Sequence, residues 1–259
     1  MLLQDKVAIV TGGNRGIGRE IAIGFAEEGA SIILVGRSKE LLKKVENELL
    51  TKNSQVISIA CDVTVEKEVN KMVETTMKRF GRIDILVNNA GSSGPTVAIE
   101  NLEANDWDNV INSNLKSAFL CSKEVIPYMK KNGSGRIINM SSISGKRPLQ
   151  FRSGYCASKM GIIGFTRTIA TELGPYNITV NSICPGFVEG ERVQAVISNQ
   201  ASVRGISKKE VEKEYKQASP LYRFTTPGDI SATAVFLASD YAIGITGEDV
   251  NVSSGVVMY

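Results

Sequence analysis

The chain has 259 residues, 42% hydrophobic and 22% charged, with 30 basic against 27 acidic side chains and a formal net charge of +3, the balance of an ordinary soluble domain with a sizeable core. Charges of both signs are mixed along it, no apolar run reaches the roughly 18 residues of a membrane span, and the N-terminus runs at once into a strand-like segment. A cytoplasmic protein with no nucleic-acid or membrane partner is expected. The absence of histidine excludes a Ser-His-Asp hydrolase and argues against a catalytic zinc, so no metal site is expected; acid/base chemistry falls to a carboxylate, Tyr, Lys or Cys.

Short β-branched runs alternate with segments of helical period. Residues 6–11 form a near-continuous apolar run ending in glycines, as a strand buried on both faces requires. A helical stripe follows with Ile17, Ile21 and Phe25, stopping at Gly29. Residues 31–35 read as the next strand, and Ser38 opens a helix rich in Leu, Lys and Glu. The strand signature returns at 55–60, 83–87, 136–140 and 178–183, with a last short strand at 249–252. Helical segments are expected near 65–80, 105–131 and 153–173. This alternation builds a parallel sheet covered on both faces, because each crossover is right-handed. The fold class is α/β: a single-domain, Rossmann-type doubly wound sheet of about seven strands spanning 1–259. A helical, charged insertion at 189–226 interrupts the pattern. Cys61, Cys121, Cys156 and Cys184 lie far apart and read as small buried thiols.

The first strand leads through Gly12, Gly13, Asn14, Arg15, Gly16, Ile17 and Gly18 into a helix. Glycines allow a tight turn and close approach of a pyrophosphate, while the helix start favours an anion; a ligand-free glycine turn is the alternative. At the end of the second strand, Val35-Gly36-Arg37-Ser38 lacks the carboxylate that binds a ribose 2′-hydroxyl and repels a 2′-phosphate. Arg37, with Arg15 opposite, can pair with that phosphate, so NADP(H) is favoured over NAD(H); otherwise both arginines are simply solvated. Further on, Tyr155 and Lys159 stand four apart on one helical face. An ordinary phenol is a poor base near neutral pH, and a neighbouring ammonium favours its ionised form. Ser142 lies just past strand 136–140, where parallel sheets place their ligands. Tyr and Lys at this spacing also occur in helices for packing alone.

The glycine turn from Thr11 to Gly18, Asn88-Asn89-Ala90-Gly91, Asn114, Ser142, Tyr155 and Lys159 stand in the order and spacing of the classical short-chain dehydrogenase/reductases. The chain resembles that family nearly end to end, and in particular its 3-oxoacyl-thioester reductases. The resemblance implies a catalytic tetrad of Asn114, Ser142, Tyr155 and Lys159. In it Tyr155 exchanges the proton, Ser142 holds the carbonyl oxygen, Asn114 helps hold a relay water, and Lys159 also binds the nicotinamide ribose. It implies cofactor contacts from Asp62 and Val63 to adenine, from Asn89, Ala90 and Gly91 beside the nucleotide, and from Pro185, Gly186 and Val188 beside the carboxamide. Gly190 stands where members commonly place a Thr, and Asn251 to Gly255 departs from the more usual Asp-Gly-Gly ending. The resemblance further implies a homotetramer built on the helices containing Asn114 and Tyr155 and on the C-terminal strands, with Trp107, Phe119 and Phe165 available for such faces.

The activity expected is interconversion of a ketone and a secondary alcohol on a small-molecule substrate. A 3-oxoacyl thioester, a sugar or polyol, and a cyclic alcohol all fit. Candidate pocket residues are Ser92 to Thr96, Ser144, Leu149, Phe151 and the stretch from Glu189 to Leu221, with apolar stripes of Val193, Val196 and Ile197 and of Val211, Tyr215 and Tyr222. These helices read either as a mobile substrate lid or as solvated faces. A non-catalytic dinucleotide-binding protein would not need Ser142, Tyr155 and Lys159 together. A sugar-nucleotide epimerase would need a longer C-terminal domain.

Overall fold

A computed structural model describes residues 1–51 and 55–259. The apolar runs become strands because both of their faces are covered: β1 (Val7–Thr11), β2 (Ser31–Gly36), β3 (Val56–Ala60), β4 (Ile85–Asn88), β5 (Gly135–Met140), β6 (Ile178–Pro185) and β7 (Asp249–Val252). All pair in parallel, in the order β3-β2-β1-β4-β5-β6-β7. The order reverses between β1 and β4, and the crevice outside their carboxyl ends is where such sheets take ligands.

Alternate residues of each strand feed two cores. Ala8, Val10, Ile32, Leu34, Ile85 and Val87 pack under helices α1 (Gly16–Glu27), α2 (Lys39–Leu50) and α9 (Pro227–Ala238). Val7, Ile9, Ile33, Val35, Leu86 and Ile137 face α3 (Glu66–Phe80), α5 (Ser117–Asn132) and α6 (Ser153–Leu173). Between α3 and α5 lies α4 (Ala104–Ile111), and α7 (Glu191–Arg204) and α8 (Lys208–Gln217) occupy the expected insertion. No helix among the described residues is long and apolar enough to cross a membrane.

Several boundaries differ from the sequence reading for identifiable reasons. The fourth strand begins at Ile85 because Asp84 ends its approach: its carboxylate accepts from Val7 N at 2.8 Å. β6 runs on to Pro185 because β7 pairs alongside it, Pro185 opposite Val252; at the end of a ladder, proline's missing N–H costs little. The helix expected over 105–131 is interrupted by a π-helical turn, Asn112–Lys116. In the insertion, Val193, Ile197, Val211 and Tyr215 form a third apolar cluster, with Val196 packed against it. Tyr222 does not join them. It is exposed and holds φ +51 in the segment leaving α8.

Candidate active site

The turn after β1 is shaped by contacts only glycine permits. Gly12 holds φ +64 and Gly16 φ +53, both left-handed. A Cβ on Gly18 would strike Gly12 O and Asn89 Nδ2, so the start of α1 lies directly on the turn. Among the described residues no side chain caps α1, and its first N–H groups are left for an anion. The same turn is tied to the end of β4. Thr11 Oγ1 accepts from Asn89 N and Ala90 N at 3.0 Å each, and Asn89 Nδ2 donates to Thr11 O at 3.0 Å and Gly12 O at 3.2 Å. The proposed cofactor residues Asn89, Ala90 and Gly91 thus border the glycine turn across the switch point.

Asn14 lies against Gly36 at the tip of β2, where a Cβ would come 3.3 Å from its side-chain amide. Arg15 and Arg37 are exposed and form no ion pair among the described residues. Asp62, past the end of β3, is within electrostatic reach of Arg37. Partial burial opposes its ionisation, but hydrogen bonds from Thr64 and the Arg37 charge outweigh that and hold its carboxyl below the usual range. Its Oδ1 accepts from Thr64 N at 3.0 Å and Thr64 Oγ1 at 2.7 Å, and Val63 beside it is buried.

At the other end of the crevice, β5 leads to Ser142, whose Oγ accepts from Ser144 N at 3.1 Å and caps a short turn, Ile143–Gly145. Tyr155 and Lys159 share a face of α6. Lys159 is buried, and its Nζ donates to Met140 O at 2.7 Å while Ser141 Oγ donates to Lys159 O at 2.8 Å. These bonds pin α6 to the end of β5. The Lys159 Nζ stands 5.7 Å from the Tyr155 ring centre. Burial first, and repulsion by Arg192 second, push the Lys159 ammonium down to a pKa of about 7.

Asn114 occupies the π-helical turn, an irregularity often found at functional sites. Its Nδ2 donates to Ser158 Oγ at 3.0 Å and Ser92 O at 3.1 Å, and its Oδ1 accepts from Ser92 N at 2.9 Å. It therefore ties α6 to the loop after β4, and Gly91 must lack a side chain because a Cβ would meet Asn114 Oδ1.

Beyond β6, Gly186 N donates to Val252 O at 2.9 Å, and Val188 bridges Thr225 in parallel. Phe187 O and Glu189 N make that bridge's bonds, so the N–H and C=O of Val188 point to its other side. Gly190 holds φ +130, a conformation that residues with a side chain, Thr included, rarely adopt. Among the oligomer candidates, Phe119 is exposed, Phe165 packs partly into the second core, and Trp107 lies over Gly154 of α6.

The sequence reading did not single out two arginines, one of which, Arg192, falls within the candidate pocket stretch from Glu189 to Leu221. Arg152, at the start of α6, is buried beside Tyr155, its guanidinium 4.9 Å from the ring centre. Arg192, in the first turn of α7, donates to Gly91 O at 2.7 Å. Their one sequence signal is a charge next to a motif or glycine, too common to single them out. Among the described residues no group of His, Cys, Asp or Glu side chains is arranged to hold a metal.

The short-chain dehydrogenase profile matches residues 6–201. The 3-oxoacyl-[acyl-carrier-protein] reductase of Staphylococcus epidermidis is 36% identical over 98% of this chain and 100% of its own length. That of Thermotoga maritima is 36% identical over 100% of both. The solved structure of NAD+-bound xylitol dehydrogenase superposes with a TM-score of 0.96 at 32% identity, covering 98% of this chain and 100% of that one. A variant actinorhodin polyketide ketoreductase with NADPH gives 0.94 at 33% identity, covering 100% of each. With the parallel sheet, the glycine turn and the Tyr-Lys face of α6 at its switch point, these likenesses identify the chain as a member of the short-chain dehydrogenase family, an NAD(P)-dependent oxidoreductase that interconverts a ketone and its alcohol.

Proposed function

We propose that the protein is an NADPH-dependent reductase of a 3-oxoacyl group carried as a thioester, working as a cytoplasmic homotetramer. The observation that carries the chemistry is the buried Lys159, pinned to Met140 O and facing the ring of Tyr155. The substrate class is supported by the full-length relatives named 3-oxoacyl-[acyl-carrier-protein] reductase, and NADPH by the ketoreductase and by Arg37 and Arg15. The uncapped start of α1 and the left-handed Gly12 and Gly16 fit a dinucleotide diphosphate. When bound, the nicotinamide supplies the hydride.

Ser142 Oγ holds the ketone oxygen, and the Tyr155 hydroxyl gives its proton to that oxygen as the alkoxide develops, stabilising charge where it appears. Lys159 keeps a positive charge beside the phenolate left behind, and Asn114 fixes the helix turn that frames both. Asp62, Val63, Asn89, Ala90, Gly91, Pro185, Gly186 and Val188 line the nucleotide's course along the strand ends. A polyol substrate rests on the xylitol dehydrogenase likeness alone.

Oxidation of NADPH at 340 nm with 3-oxobutanoyl N-acetylcysteamine, beside xylitol with NADP+, separates the two. Tyr155→Phe is expected to lose about 10²–10⁴-fold in kcat with NADPH affinity nearly intact. Near wild-type turnover would remove Tyr155 from the mechanism.

A further inference from the structure

Immediately ahead of α6, Phe151 holds φ +64, a left-handed conformation that a bulky side chain keeps only where its surroundings impose it, and one that gathers at functional sites. Its carbonyl accepts from Val97 N at 3.0 Å. The strained residue precedes Arg152, which is turned inward with only 3% of its surface exposed. Nη2 of Arg152 donates to Ser93 O at 2.6 Å, Nη1 reaches Thr96 Oγ1 at 3.4 Å, and Nε has no partner among the described residues.

No carboxylate among the described residues pairs with this guanidinium. Arg136 shows the contrast: it is buried to 5% exposure and pairs with Asp240 at 3.1 Å. The groups within electrostatic reach of Arg152 are Tyr155, Cys156, Tyr215 and a second cation, Arg192. The hydroxyl of Tyr215 is also buried, without a hydrogen-bond partner among the described residues. A cation buried without counter-charge is costly. Here it lies over the ring of Tyr155 and against the loop at Ser93 and Thr96, with a second cation, Arg192, within electrostatic reach and no carboxylate among the described residues paired with it.

We infer that Arg152 anchors an oxyanion on the substrate, a carboxylate, sulfonate or phosphate a few bonds from the ketone, with Tyr215 Oη as a second donor. The inference rests on Tyr155 as the reacting group; an acid ending the acyl chain narrows the thioester substrate, whereas a free 3-oxo acid takes the thioester's place. On a 3-oxoacyl skeleton the anion is either the free carboxylate of a 3-oxo acid or an acid group ending the acyl chain of a thioester. An uncharged acyl chain on a thioester leaves Arg152 unpaired.

The test uses the full chain with saturating NADPH and substrates paired to differ in charge alone. Acetoacetate is set against methyl acetoacetate, and an N-acetylcysteamine thioester of a 3-oxo diacid against its methyl ester. In one pair the anionic member is expected to be preferred in kcat/KM by about a hundred-fold, the scale of a buried charge pair. Which pair shows it tells the free acid from the terminal acid. Arg152→Gln is expected to abolish the preference chiefly by raising KM for the anionic member far more than for its neutral partner, while Arg152→Lys keeps part of it.

Calorimetry of butyrate, propanesulfonate and butyramide on the NADP+ complex reads the same site without turnover: the anions bind, the amide does not, and Arg152→Gln removes binding. Ketones reduced without charge preference, or equal losses for both members in Arg152→Gln, overturn the inference and leave the ketone chemistry standing. Arg152-dependent anion binding with no ketone reduced supports the anchor and counts against Tyr155 as proton donor. Failure of the anions to bind, with no pair turned over, overturns both.

Discussion

Lys159 makes the stability of the cofactor-free protein depend on pH in a direction fixed by its surroundings. Its ammonium is buried, donates to Met140 O and pairs with no carboxylate among the described residues; burial, then Arg192, bring its pKa from 10.5 to about 7. In the unfolded chain the ammonium returns to water and titrates near 10.4. Between those values the unfolded chain holds a proton that the folded one has released, so stability rises with pH. The penalty is fully present below about pH 7 and fades as pH climbs toward the unfolded value. Integrated from pH 7 to 9, it relaxes by about 2 kcal/mol. Lys159→Met keeps most of the apolar stem and removes the titrating group. Urea unfolding followed by far-UV circular dichroism at both pH values, without cofactor, is expected to show wild type gaining about 2 kcal/mol relative to Lys159→Met. Arg192→Met should shrink that gain, because one cause of the depressed pKa is gone. The same pH dependence in wild type and Lys159→Met would refute the reasoning.

The strands were legible because a parallel sheet covered on both faces leaves unbroken apolar runs, and residues 6–11, 136–140 and 178–183 carry that mark plainly; their order follows only from the pairing. Helical spacing made the shared face of Tyr155 and Lys159 legible, but only its conjunction with the glycine turn, Asn114 and Ser142 in the family's order pointed to a reacting pair, since the same spacing also occurs for packing alone. What escaped depends on contacts distant in sequence. The π-helical turn at Asn112–Lys116 has no residue signature; it is framed by Asn114 reaching Ser92 and Ser158. Tyr222 fits a helical stripe by spacing, yet the chain has already left α8 and turned through φ +51. Arg152 reads as one more charge before a helix, and nothing local shows Phe151 ahead of it in a left-handed turn. The absence of a carboxylate at the tip of β2 was legible. That Asp62, one strand over, reaches Arg37 follows only from the pairing of β2 with β3.

Three further outcomes are expected. Gly18→Ala sets a methyl group against Gly12 O and Asn89 Nδ2, so NADPH affinity by fluorescence titration should fall by about tenfold or more, each tenfold being 1.4 kcal/mol; unchanged affinity would remove this turn from the nucleotide site. Sedimentation at micromolar concentrations should show a tetramer, with Phe119→Glu, on an exposed position of α5, shifting it toward smaller species; a 28.0 kDa monomer throughout would sink the assembly. The last concerns nucleotide choice, read as the ratio of kcat/KM for NADPH and NADH. A guanidinium–phosphate contact favours the 2′-phosphate by about 1.5–3 kcal/mol, or roughly ten- to a hundred-fold. Asp62 already draws on the Arg37 charge, which places the preference toward the lower end of that range. Gly36→Asp with Arg37→Ile removes the attraction and adds a repelling carboxylate, although the new Cβ must press on Asn14, 3.3 Å away. The double variant should therefore favour NADH while losing some affinity for both nucleotides. If the unaltered protein already prefers NADH, Arg37 does not clamp a phosphate, and the pull of Asp62 is the stronger of the two.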